Sequence, residues 1–198
     1  MKAIYLDAFS GISGNMLLGA FLQAGVPEGY LRQELAKLPL AGEFELSCTP
    51  VTNQGVRAAY VDVRLMSETA HGETQEAQAH AHVHRTLADI EALLSEAPLS
   101  EAVKKKARAV FRLLAEAEGT VHGKPAAEVA FHEVGAVDSI VDIVGTAICF
   151  DYLGIEQVLA SRLNVGSGYV RCAHGIMPVP APALAELLMG WPTIAFGA

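Results

Sequence analysis

The chain is short of charge, of cysteine and of basic residues, and each shortage removes a class of function. Charged residues make up 18% of its 198 positions and hydrophobic ones 52%. A typical globular chain is roughly 25% charged. The balance excludes disorder and points to a subunit that buries surface against copies of itself or against another polypeptide. Fourteen Lys and Arg against 22 Asp and Glu leave a net charge of −8. Such a chain has no electrostatic footprint for nucleic acid or for an anionic membrane. The cysteines are Cys48, Cys149 and Cys172, odd in number and far apart, which makes no disulfide framework. Without a basic-then-apolar leader, the expected location is the cytoplasm. Long apolar runs are missing too. The longest uncharged stretch, Ala8 to Pro27, is broken by Gly11, Gly14, Gly19, Gly25 and several polar side chains, so it reads as a glycine turn and a buried helix instead of a membrane span.

At about 150 residues per domain, the length allows one large domain or two small ones. Lys2 to Ala8 reads as a buried strand, Ser10 to Asn15 as a turn, and Asn15 to Ala24 as a helix stopped by Gly25. A helix opened by Pro27 is expected to run to about Pro39, followed by strands over 44–51 and 56–65 around Asn53-Gln54-Gly55. Ser67 to Ala79 has almost nothing to bury and reads as an exposed linker. Beyond it, Val83, Leu87, Ile90 and Leu94 form one apolar stripe. Val103, Ala107, Val110, Leu114 and Ala117 form another, capped by Ser100 and ending at Gly119. Lys104 to Lys106 reads as a solvated face. A third helix, near 139–153, is apolar nearly all round. Val158 to Val165 reads as a strand, and Pro182 opens a last helix ending at Gly190. The fold class is therefore α/β, with α+β as the alternative: a small mixed sheet with packed helices. The expected organisation is an N-terminal segment 1–66, a linker 67–79 and a segment 80–198, which could also form one composite domain.

Four groups of residues could carry chemistry. Asp7 stands at the end of the first strand, before Ser10, Gly11, Ser13, Gly14 and Asn15. Glycine amides and a helix N-terminus suit a phosphate, although the turn is neither a Walker A loop nor a dinucleotide fingerprint. A plain capped βα turn is the other account. In an extended chain His80, His82 and His84 share a side; in a helix, His80 and His84 share a face. Imidazole suits nickel, zinc, copper or iron. A solvated polar segment would look the same. His132 and Glu133 precede a glycine and can serve as ligand and base. Asp138 is a natural N-cap for the third helix, whereas Asp142 stands among Ile and Val and must find a cation, a donor or a proton. Cys172 and His174, two apart, face one side of an extended segment and combine thiolate with imidazole. A buried free cysteine is the simpler account there.

Three stretches, Asp7 to Met16, Phe131 to Gly145 and His174 to Pro182, together with the His80–His84 segment, resemble the N-terminal part of the LarC family of nickel insertion proteins. The resemblance implies a nickel chelatase, or cyclometallase, of the lyase class, active in making the nickel-pincer cofactor of lactate racemase. The family inserts Ni²⁺ into pyridinium-3,5-bisthiocarboxylic acid mononucleotide and consumes CTP with Mg²⁺ or Mn²⁺. Its CTP-binding part is a C-terminal half, expected as a partner of this chain, and a homo-oligomer is expected as well. On this resemblance His132 and Glu133 stand at the reaction centre with Asp138 and Asp142. His80, His82, His84, Cys172 and His174 are further nickel ligands, and Asp7 with Ser10 to Asn15 holds the mononucleotide. Two other functions remain open on the residues alone. One is a nickel storage or delivery module built on the histidine cluster; the other is a metal-dependent nucleotide phosphohydrolase built on Asp7 and the glycine turn.

Overall fold

The computed structural model describes residues 1–40, 42–66, 85–131, 136–172 and 175–196, leaving aside the side chain of Cys172. The expected linker at 67–79 lies outside them. The architecture is a mixed α/β one, with strands spread over five two-stranded ribbons among the described residues. Strand β1 (Ala3–Leu6) leads through the glycine turn into α1 (Gly14–Gln23), where Ser13 accepts the Met16 amide. Helix α2 (Glu28–Leu35) is shorter than expected, because the chain turns after Ala36 and drives Leu38 and Leu40 into the core from the turn itself.

Strands β2 (Phe44–Asn53) and β3 (Val56–Leu65) form the expected hairpin. Its two-residue loop, Gln54-Gly55, has φ of +48° and +83°, the double left-handed conformation that matches strand twist. Helix α1 lies on β3, and a Cβ at Gly19 would overlap the Ala59 carbonyl, so the glycine permits the close approach. A short β4 (Arg85–Thr86) precedes α3 (Leu87–Glu96), which starts with a reciprocal Thr86–Asp89 capping box.

The long helix α4 (Glu101–His122) has the expected Ser100 cap and buries Val103, Ala107 and Ala117 as expected, but Phe111 and Ala115 take the inside between them while Val110 is exposed. Phe111 takes the position expected for Val110 because its ring packs on Phe131, with centroids 6.3 Å apart. Nor does α4 stop at Gly119. It passes through that residue and ends at Gly123, φ +63°. Lys104 is not part of a solvated face: it is buried, its stem lying under the α3–α4 junction and its Nζ donating to the Ser95 carbonyl at 3.3 Å.

After β5 (Ala130–Phe131) comes α5 (Val137–Leu153), the expected central helix, which packs on α1, α2, α4 and β3. Its Gly145 lets Leu18 of α1 come within 3.0 Å of where a Cβ would stand. The expected strand at 158–165 is broken at Ser161-Arg162 into β6 (Gln157–Ala160) and β7 (Leu163–Asn164). Strand β6 pairs in parallel with β1, and β7 with β10 (Thr193–Ile194). An antiparallel hairpin, β8 (Tyr169–Cys172) and β9 (Gly175–Pro178), and helix α6 (Pro182–Leu187) lie between β7 and β10 in the chain.

Candidate functional site

The glycine turn is fixed at its first residue. Buried Ala8 donates its amide to Ser161 Oγ at 2.8 Å, and its carbonyl accepts from Gly11 (3.1 Å) and from the Asn164 amide (3.3 Å). Gly11, at φ +87°, holds a backbone conformation that glycine alone adopts without strain. Asn164 completes the anchor. Its Nδ2 donates to the carbonyls of Phe9 and Phe196, and its Oδ1 accepts from the amides of Gly166 and Phe196. Sequence reading missed both Asn164 and Ser161. A partial signal existed, since Asn164 is a polar residue between Leu163 and Val165 in a run that otherwise reads as strand.

Asp142 is where the turn meets the central helix. A Cβ at Gly14 would overlap the Asp142 carboxyl group, so this glycine leaves room for an acid at the first turn of α1. One face of α5 thus meets α1 twice, through Asp142 on Gly14 and through Gly145 on Leu18 one turn later. Asp142 Oδ1 is fully buried and has no hydrogen-bond partner among the described residues. Burial, and then the neighbouring charge of Asp138, raise its pKa to about 6. Asp138 is not the N-cap. That position belongs to Ala136, and Asp138 sits in the first turn, accepting the Ser139 amide at 2.7 Å, where the helix dipole favours a carboxylate.

Asp7 and Ser10 are exposed at the mouth of the turn, and so is Ser13 apart from its capping role; Gly11, Gly14 and Asn15 are half-buried. Among the described residues no group of three or more His, Cys, Asp or Glu side chains could hold a metal ion. Cys149 lies in the core, where burial pushes its thiol up to about 12, and burial raises Cys48 as well. Both are free thiols held in the protonated, poorly ligating form. His80, His82, His84, His132, Glu133 and His174 lie outside the described residues, as does the Cys172 side chain. Their chain neighbours do not. Arg85, which follows His84, pairs with Phe131, which precedes His132, in the β4–β5 ladder.

The model of the nickel insertion protein family matches residues 4–197. The chain belongs to the nickel insertion family. A relative from Wolinella succinogenes is 51% identical over 192 residues, 97% of this chain and 46% of its own length. A Clostridium kluyveri relative is 48% identical over 97% of this chain and 48% of its own length. It is named a pyridinium-3,5-bisthiocarboxylic acid mononucleotide nickel insertion protein. One from Akkermansia muciniphila, with the same name, is 48% identical over 94% of this chain and 45% of its own length. This member of the family therefore spans about half the length of the curated relatives it matches. No solved structure matches it. Among the described residues no helix is long and apolar enough to cross a membrane.

Proposed function

We propose that this chain is the nickel- and substrate-handling half of a nickel insertion enzyme acting on pyridinium-3,5-bisthiocarboxylic acid mononucleotide in the cytoplasm. The observation that carries the reading is the Arg85–Phe131 rung. It pairs the residue that follows His84 with the residue that precedes His132, and α5, which comes next in the chain, sets Asp142 against the glycine turn. In this reading His80, His82, His84, His132, Cys172 and His174 supply borderline-soft donors that hold Ni²⁺ as a substrate and hand it to the thiocarboxylate sulfurs. The exposed hydroxyls of Ser10 and Ser13, with the turn amides, hold the mononucleotide phosphate, and Asn15 and Asp7 flank it.

Nickel–carbon bond formation requires that the pyridinium C4–H bond break. Its electron pair goes to nickel and its proton to a base, here Glu133 or His132. Asp142, ionised above about pH 6, is the next acceptor and gives a cation its Oδ1, which has no partner among the described residues; Asp138 lies one turn away. CTP with Mg²⁺ or Mn²⁺ is assigned to polypeptide corresponding to the remainder of the relatives, a C-terminal half. The product is the cofactor of lactate racemase, the class is a lyase, and the working form is an oligomer.

Calorimetric titration of nickel into the chain, with and without the thiolated mononucleotide, tests this. We expect tighter nickel binding when the mononucleotide is present, and loss of that gain on replacing His84 and His132 together by Ala. Nickel affinity indifferent to both changes would reduce the chain to a metal store.

A further inference from the structure

From Asp151 to Phe196 not one described residue is buried, although the stretch contains five strands and a helix. Between Gln157 and Phe196 the only Asp, Glu, Lys or Arg residues are Arg162, Arg171 and Glu186. Among the described residues, a folded segment this exposed and this poor in charge has the character of an interaction surface. The shortfall is sharpest at the β1–β6 ribbon. Parallel strands occur almost only where both faces of the sheet are covered. In β6, Val158 and Leu159 are successive residues and so point to opposite faces. They are 47% and 48% exposed, and Tyr5, opposite Leu159 in the register, is 62% exposed. Among the described residues neither strand has a second neighbour, so the ribbon also presents unpaired edges. Phe9 and Phe196, tied side by side through Asn164, extend this apolar surface at 68% and 78% exposure.

We propose that the β1–β6 ribbon, with Phe9 and Phe196 beside it, is the docking face for the polypeptide that makes up the other half of the relatives' length, which adds to the ribbon's open edge and covers its faces. The proposal rests on the reading of this chain as one half of a nickel insertion enzyme. Two facts favour that occupant over a second copy. In the relatives the matching region covers only 45–50% of the protein, so in them as much polypeptide again is tethered to the same region. A tether sets an effective concentration in the millimolar range, which a free second copy seldom reaches. Two copies of this chain, each at −8, also repel on approach, and the ribbon offers no ion pairs to offset that.

Hydrogen exchange tests the face without any assay of nickel chemistry. The amides of residues 3–6 and 157–160 are followed in this chain, and the aligned amides in the full-length Clostridium kluyveri relative, with the mass of each checked by sedimentation. We expect the relative to protect the ribbon about tenfold or more beyond this chain. Equal exchange in the two proteins overturns the proposal. So does protection already present in this chain as a sedimenting dimer, which would make a second copy the occupant. A relative that protects the ribbon but inserts no nickel would leave the face in place and remove the functional reading instead.

Discussion

Replacing Asp142 by Asn should stabilise the protein at neutral pH. The folded carboxyl keeps its proton up to about pH 6, whereas the ordinary value is 3.8. Between those two values the folded state binds more protons than the unfolded one, so stability falls as pH rises through that window and stays low above it. Asp142 is only partly buried, and solvent screening reduces the cost of its charge to on the order of 1–2 kcal/mol. Thermal unfolding at pH 4 and pH 7 checks this: Asp142→Asn should raise the melting temperature at pH 7 and leave pH 4 little changed. A loss at pH 7 would mean that the carboxylate has a favourable partner. The acid was legible in the sequence as a charge among Ile140, Val141, Ile143 and Val144, because burial on an apolar helix follows from local pattern. What it abuts was not legible. Gly14 lies 128 positions earlier, and its role as room for a carboxylate appears only when α1 and α5 cross.

At the scale of elements, the turns and caps could be read and the faces less so. The Gln54-Gly55 loop, the Ser100 cap and the central helix depend on nearby residues, and all three stand where the sequence pattern puts them. The buried stripe of α4 departs from the expected one in its middle because Val110 and Phe111 are both apolar, and the choice between them is made by Phe131, which the periodicity of α4 does not contain. Lys104 differs from its expected solvated place for the same reason: besides Glu101 on its own helix, its Nζ reaches the Ser95 carbonyl of another. Gly119 looked like a stop because glycine usually ends helices. Its work is different. A Cβ there would lie 2.6 Å from the Lys124 carbonyl, where the chain doubles back after α4. Gly119→Ala should therefore destabilise by about 1–3 kcal/mol through overpacking, although alanine favours a helix interior by about 1 kcal/mol. A denaturant midpoint above that of the unaltered chain would show that Lys124 moves aside freely.

On the scale of the whole molecule, the residue that sequence reading missed matters most. Asn164 joins Phe9, near one end of the chain, to Phe196, near the other, with all four contacts at ordinary hydrogen-bond lengths. No local pattern reports such a residue, because its partners lie 155 and 32 positions away. Asn164→Ala should cost about 1–2 kcal/mol, since the four backbone groups it serves are exposed or half-buried and water takes over part of its bonding. It should also speed amide exchange at Gly11 and Phe196 together. Exchange that quickens at only one of them would show that the two ends are held independently.

The pairing of β1 with β6 also bears on synthesis. Ala3 faces Gln157 in that ladder, so the first strand leaves the ribosome long before its partner exists. At roughly 5–20 residues per second the wait is about 8–30 s. During it, Ile4, Tyr5 and Leu6 have no sheet to join, and the glycine turn has no Ser161 or Asn164 to grip it. The nascent chain must spend that interval either shielded by a chaperone or held by the packing of α1 on β3, since α2 packs on α5, which is made later.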